Sequence, residues 1–435
     1  MIVVFCLSFW LEIFSSYDWG IAMVETFPTS YSRGRRHFVG SAAALGAVMM
    51  SSVRAARAEN MITLPFPGGP RSRPLTTAFP NKGEMILQRI RPPLLETPFE
   101  VFDQGILTPN DRFFVRWHLA SIPQQIDVTT FRLMVGGHVN RPLSLSLSEV
   151  LELPRVELVA VNQCSGNSRG FFQPRVPGGE WGNGAMGNAR WTGFRLRDLL
   201  DRAGVKAGAV QVQFNGLDGP TFPATPDFKK SLSIDHARDG EVIVAYLMNG
   251  EQMPLLNGFP LRLIVPGWYS TYWVKMLSHI EVLDRPDDNF WMKTAYRIPD
   301  TPGANVSPTE TGYKTTPINR MLPRSFVTNL KTGDNVKAGA TIEVRGIAFG
   351  GDCGVKNVGL STDGGVTWIM TKLGVNEGKY SFRGWRARVG VPASGVLTLS
   401  VRCTNTRGET QSWTPNWNPG GYMRNSIETT VLNIV

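Results

Sequence analysis

The stretch VNQCSGNSRGFFQPRVPGGEWGNGAMGNARW, residues 161–191, decides how this sequence is read. An apolar, β-branched run from Glu157 to Val161 leads into it and predicts a strand that delivers Cys164 to the head of a loop. Beyond Cys164 the chain turns small and polar, with Arg169 five residues on and Arg175 further out. Guanidinium charge near a thiol favours the thiolate, the form that attacks or ligates a metal. A small buried core cysteine is the plain alternative, but Asn162-Gln163 before it and the Gly and Arg residues after it make a poor core environment. No His or Cys stands beside Cys164 at ligand spacing, so it cannot close a metal site alone. Two roles stay open: a nucleophile, or the sole protein ligand of a metal carried by an organic cofactor. A nucleophile needs a base, and nothing in the spacing of His118, His138, His236 or His279 singles one out.

Around this loop, from about Phe99 to Leu283, short β-branched and aromatic runs alternate with two helical patterns. Strands are predicted at 112–118, 157–161, 210–214, 242–246 and 261–265, and helices at 145–153 and 196–203. Leu196, Leu199, Leu200 and Ala203 share one helical face, and Gly204 is the stop. Many strands with few helices predict an α+β domain over residues 99–317. Pro299 to Thr316 reads as a linker. Residues 318–435 hold strand-like runs at 341–349, 356–361, 367–373, 379–388, 396–403 and 426–435, separated by Gly/Asp/Asn turns, which predicts an immunoglobulin-like β-sandwich suited to dimerisation. Residues 59–98 are rich in Pro and Gly with little periodicity and read as an arm without a fold of its own.

The composition agrees with a folded, loop-rich chain. Of 435 residues, 42% are hydrophobic and 18% charged, with 45 Gly and 30 Pro, which excludes a disordered polypeptide or a small disulfide scaffold. No apolar run approaches the ~18 residues that a membrane-spanning helix needs. The net charge of +10 is dispersed, with no Lys/Arg run longer than two, so it reads as a solvated surface plus a few anion-binding arginines, which suits a small anionic substrate at least as well as a nucleic acid.

Residues 1–58 read as an export signal: YSRGRRHFVG at 31–40, then an apolar small-residue run, then Ala56-Arg57-Ala58. The pair Arg35-Arg36 resembles a twin-arginine signal, which implies a periplasmic protein exported already folded, often around a cofactor. Met23 is an equally good start, so the N-terminus reads as over-extended. Cys6 lies in this leader, leaving Cys164, Cys353 and Cys403; a bridge between the last two is possible in an oxidising compartment.

CSGNSRG at 164–170, with FFVRWH upstream at 113–118, resembles the sulfite oxidase family of molybdenum enzymes. Further matching segments follow in order: NGLDGP at 215–220, AYLMNGEQMP at 245–254, NGFPLRLIVPGWYSTYWVK at 257–275 and WNPGGYMRN at 417–425. The resemblance implies that Cys164 binds the molybdenum of a pyranopterin dithiolene (molybdopterin) cofactor. Arg116, Arg169 and Trp181 match anion-pocket positions, and Tyr296 matches the tyrosine beside the metal. His118 matches a cofactor-contacting histidine, Arg262 and Lys275 match residues that hold the cofactor phosphate, and Asp218 falls in a pterin-contacting stretch.

Two departures stand out. Asn257 replaces the histidine that the animal enzymes place before Gly-Phe-Pro and by position takes its cofactor-binding role, and Gly420 stands where the C-terminal pocket arginine belongs, leaving Arg424 four residues later as its substitute. The resemblance implies oxidation of sulfite to sulfate, with electrons passed to a c-type cytochrome or haem subunit, in a homodimer or heterodimer. No haem is expected in this chain, because residues 1–98 are too short for the haem domain of the animal enzymes and no CxxCH occurs. A relative acting on sulfane sulfur or a sulfoxide is the nearest rival reading, and a cofactor-free exported binding protein the rival from another class.

Overall fold

The strand Arg155–Gln163 is buried from Val159 onward, and along its full length it pairs antiparallel with Met186–Arg195, so the loop opened by Cys164 hangs between two paired strands. The computed structural model describes residues 60–435; the expected export signal at 1–58 lies outside them. Ile243–Met248 pairs on the far side of Met186–Arg195 and is flanked by Glu251–Gln252 and Arg262–Ile264. A second sheet runs in the order Lys229–Ser233, Gln211–Gly216, Leu277–Leu283, Arg132–Gly137, Leu143–Ser146, with one parallel pairing at its centre. Helices are few and short. Leu196–Ala203 forms where its apolar face predicts it and stops at Gly204, whose φ of +70° suits glycine. Leu147–Leu151 is set by a capping box between Ser146 and Glu149.

Residues 60–98 are not the structureless arm that their composition predicts. Met61–Leu64, Arg71–Thr76, Met85–Arg89 and Leu94–Glu96 form, with Val115–Arg116, a five-stranded sheet. These strands are three to six residues long, too short for a period of two to show among the prolines, and Val115–Arg116 closes the sheet from beyond the segment. Glu96, 1% exposed, ties this sheet to the loop after Trp181. Its carboxylate accepts from the Gly182 and Gly184 N–H groups at 3.1 and 2.9 Å and from Gln88 Nε2 at 2.7 Å.

The C-terminal region folds as two sheets around one core. One runs Arg324–Val327, Thr341–Phe349, Arg383–Gly390, Lys372–Leu373; the other runs Asn335–Val336, Glu428–Ile434, Val396–Asn405, Val355–Ser361, Ile369–Met370. Val344, Trp385, Leu399, Val401 and Leu432 meet between them. The expected linker is itself ordered: Arg297–Pro299 pairs with Thr315–Pro317. The two regions are stitched together where Asn188 Nδ2 donates to Ser381 Oγ at 3.0 Å and Val161 N–H donates to the Tyr380 carbonyl at 2.9 Å. Cys164, Cys353 and Cys403 are all free, so the bridge considered for the last two is not formed. Among the described residues no helix is long and apolar enough to cross a membrane.

Glu96→Ala would leave the Gly182 and Gly184 donors buried without an acceptor, at about 1–3 kcal/mol each. We expect the substitution to lower unfolding stability by more than about 2 kcal/mol in a denaturant titration; an unchanged midpoint would show that the tie carries no load.

Candidate active site

Cys164 is fixed at the head of its loop by main-chain bonds: its N–H donates to the Ala185 carbonyl at 2.9 Å, and its carbonyl accepts from Asn167 N–H at 3.0 Å. The polar residues that made a poor core environment are braces. Asn167 donates from Nδ2 to Gln163 Oε1 at 3.1 Å and accepts from Ala185 N–H at 2.9 Å. Ser168, at φ +69°, turns the chain sharply so that Arg169 faces back over the loop.

Two spaces meet at Cys164. The first is a narrow cleft whose lining includes Arg116, His118, Ser165, Asn257, Arg262, Thr271, Lys275 and Tyr296. Five of these residues carry a buried polar atom without a partner: Arg116 Nη1, His118 Nδ1, Ser165 Oγ, Arg262 Nε and Thr271 Oγ1. Every one can donate a hydrogen bond. A buried wall of unmet donors is costly unless a bound group supplies acceptors, so the cleft fits an anionic, acceptor-rich molecule. Among the described residues no three His, Cys, Asp or Glu side chains converge as a metal cluster. A metal at Cys164 therefore needs further ligands from such a molecule, and a molybdenum–pyranopterin group fits this donor set.

The cations of the cleft rest on aromatic faces. Arg262 lies 5.4 Å from the Trp191 ring and 5.9 Å from that of Trp273, and its Nη1 donates to the Asn257 carbonyl at 2.8 Å. Burial pulls its pKa down to about 9. Lys275 sits 4.3 Å from the Trp117 ring, and burial, followed by Arg262, brings it down to about 7. Asp218 lines neither space, against the sequence expectation of a direct contact. It is buried beside Lys275, and burial pushes its carboxyl up to about 6 against the pull of that lysine. The amide of Asn257 is occupied by protein: Oδ1 accepts from Lys82 Nζ at 2.5 Å and Nδ2 donates to the Phe114 carbonyl at 3.2 Å.

The second space is a cavity of about 780 Å³ lined by Arg73, Arg89, Arg116, Arg169 and Arg175, with Leu94, Glu180, Trp181, Tyr296, Gly420 and Tyr422 among its other residues. Arg169 is held by the Gly420 carbonyl, from Nε at 3.1 Å and Nη2 at 3.0 Å, and lies 5.2 Å from the Tyr422 ring. Tyr296, at φ +55°, points its hydroxyl to His118 Nε2 at 2.6 Å and stacks on Tyr422 with ring centroids 5.5 Å apart. Burial raises the Tyr296 pKa, so the phenol keeps its proton. Burial first, then Arg116, Lys275, Lys230 and Arg89, drives His118 well below its usual range, so the imidazole is neutral. Phe228 stacks on that ring at 3.6 Å.

Arg424 does not substitute for the missing pocket arginine. Its Nη1 donates to Glu428 Oε1 at 2.5 Å, its guanidinium lies 5.3 Å from the Phe171 ring, and it lines neither space. Burial pushes the Glu428 carboxyl up, but Arg424 and Arg324 outweigh it and hold the group below the usual range, which keeps Arg424 engaged there. The turn through Gly420-Gly421 presents Tyr422 to the cavity instead. Sequence reasoning missed Tyr422, although it sits in a quoted motif. It also missed Lys82, Arg89, Phe228 and Glu180, which lie outside any recognisable spacing.

Residues 118–291 match a family model described as an oxidoreductase molybdopterin binding domain, and residues 315–431 match one described as a Mo-co oxidoreductase dimerisation domain. The chain is 33% identical over 348 residues to sulfite oxidase of Gallus gallus, a match covering 75% of this chain and 73% of that protein. It belongs to the sulfite oxidase family. It is also 33% identical to human mitochondrial sulfite oxidase, over 77% of this chain and 63% of that one, so it spans under two thirds of the human protein's length. The sulfane dehydrogenase SoxCD from Paracoccus pantotrophus shares the fold, with a TM-score of 0.65 and 22% identity over 79% of this chain and 87% of that one. The implied molybdenum cofactor agrees with the donor-lined cleft.

Two predictions follow from this geometry. A Cβ on Gly166 would lie 2.4 Å from the Arg169 guanidinium, so Gly166→Ala should fold, displace Arg169 and raise KM for the anionic substrate in the same direction as Arg169→Met; an unchanged KM would show that Arg169 does not meet substrate. His118 is neutral when folded, whereas an unfolded histidine takes up a proton near pH ~6.5. Its contribution to stability is therefore complete above that pH and is lost as pH falls toward the depressed folded value. Melting temperature should drop between pH ~7.5 and ~5.5, and His118→Asn should make the drop shallower; equal slopes would remove His118 as a cause.

Proposed function

We propose that this chain is a sulfite dehydrogenase that oxidises sulfite to sulfate. The observation that carries the reading is the meeting, at one cysteine, of a donor-lined cleft and an arginine-lined cavity. Arg262, Lys275, His118, Ser165 and Thr271 hold the molybdenum–pyranopterin dithiolene, and Cys164 ligates its metal. That group supplies two-electron oxygen-atom transfer when bound. Arg116 and Arg169 bind and orient the dianion; planar guanidinium groups suit an oxyanion, and a buried site strengthens their pull. Tyr296, kept protonated by burial, gives its hydroxyl hydrogen to His118 Nε2, which leaves the ring hydrogen on Nδ1 to donate into the cleft and fixes the phenol at the edge of the cavity. Trp181, Leu94 and Tyr422 narrow the cavity and limit water near the reacting atoms. Overall, water provides the added oxygen, and two protons and two electrons leave as sulfite becomes sulfate.

The electrons go, on this reading, to a separate c-type cytochrome or haem subunit, which the basic surface would steer. Arg35-Arg36 supports export to the periplasm by a twin-arginine route. The match of residues 315–431 to a dimerisation domain supports a dimer, and the two facing C-terminal sheets support an immunoglobulin-like sandwich as its contact module.

The test combines metal content and substrate choice. Protein from cells that make the cofactor should carry about one molybdenum per chain by elemental mass spectrometry and turn over sulfite with cytochrome c, but not thiosulfate or sulfoxides. Cys164→Ser should abolish turnover in folded protein. Loaded protein that ignores sulfite and oxidises thiosulfate would replace this reading with a sulfane-sulfur one.

A further inference from the structure

Arg89 is an arginine outside both family-model matches, yet it lines the arginine-rich cavity. Its position follows from a β-bulge. Along Met85–Arg89, Leu87 pairs with Leu95 and Arg89 pairs with Leu94, so Gln88 is an extra residue with no partner of its own. A bulge re-aims side chains, and here it turns Gln88 and Arg89, adjacent in sequence, toward the same cavity. Leu94 in turn pairs with Arg116. Arg89, Leu94 and Arg116 thus stand in register across three neighbouring strands and form one wall, with the two arginines about 9–10 Å apart at the backbone.

Three of the other arginines of the cavity, Arg73, Arg169 and Arg175, have partners. Glu180 takes Arg73 at 2.8 Å and also Arg175, while Arg169 is held by carbonyl groups. Arg116 has a buried Nη1 with no partner. Arg89 has a single weak bond, Nε to the Pro92 carbonyl at 3.4 Å, and no carboxylate partner among the described residues. Arg89 is exposed to solvent, yet partial burial, then Arg116, lowers its pKa, so the two cations feel one another. Two like charges on one wall without a counter-ion repel, and a dianion placed between them removes that repulsion.

Building on the sulfite reading, we infer that Arg89 is a specificity-determining residue that pairs with Arg116 to draw a divalent oxyanion into the cavity. Glu180 removes Arg73 and Arg175 from that task, so within the N-terminal sheet the strand Met85–Arg89 contributes one free guanidinium and the strand Val115–Arg116 the other. Arg89 lies at the outer end of the wall and governs capture rather than the oxygen-transfer step.

The test uses holoenzyme of the wild type, Arg89→Gln and Arg89→Lys. Three quantities are measured: molybdenum content, kcat and KM for sulfite, and the affinity of inorganic sulfate by calorimetry. Arg89→Gln should raise KM and weaken sulfate binding by about tenfold each, with kcat and metal content kept; Arg89→Lys, which retains the charge, should recover part of the loss. Unchanged KM and sulfate affinity in Arg89→Gln would overturn the inference, as would a loss of molybdenum, which would make Arg89 part of the scaffold. A wild type that binds sulfate but does not oxidise sulfite would sink the activity proposed above. Sulfate binding would still decide the role of Arg89.

Discussion

Burying positive charge without a matching number of carboxylates is the constraint on which the rest of this structure depends. Arg116, Arg169, Arg262, Lys275 and Lys82 crowd around the thiol of Cys164 and its cleft, and taking such groups from water is costly. The fold meets that cost without neutralising the site. Aromatic faces carry Arg262 and Lys275, main-chain carbonyls of Asn110 and Phe113 receive Lys82, and the Gly420 carbonyl receives Arg169. Partial dipoles and ring quadrupoles stabilise a cation while leaving the net field positive, which is what an anionic ligand needs.

The same constraint explains why three separate parts of the chain build one site. The segment between residues 60 and 98 brings Lys82, Leu94 and Glu96, so it is a wall of the candidate site and not an appendage. The C-terminal region supplies the Gly420 carbonyl and the Tyr422 ring that fix Arg169 and back Tyr296. Glu428 meanwhile draws Arg324 and Arg424 away from the cavity, which sets how many guanidinium groups remain for a ligand.

A neutral His118 and a protonated Tyr296 both follow first from burial, which the cations reinforce at the imidazole and oppose at the phenol. Burial, and after it the surrounding cations, opposes protonation of the imidazole, and burial opposes loss of the phenol proton. The pair is therefore a fixed hydrogen-bond device whose free atom, Nδ1, faces the cleft.

The sequence alone determined the helix at 196–203, most strands of the C-terminal region, the exceptional character of Cys164 and, through ordered motifs, the family. Each of these rests on local information: a helical period, turn residues at regular spacing, or a run of side chains around one reactive atom. Tertiary structure decided the strands of residues 60–98, the bulge that turns Arg89 inward, the withdrawal of Arg424 onto Glu428 and the position of Asp218 beside Lys275. Some of those outcomes join distant parts of the chain, as with Arg169 and the Gly420 carbonyl, 251 positions apart, while others, such as Arg424 with Glu428 and Arg89 with Leu94, join near neighbours whose pairing no local pattern announces. Which arginine stays free for an anion is settled by competition among carboxylates, carbonyls and rings that meet only when the chain has folded.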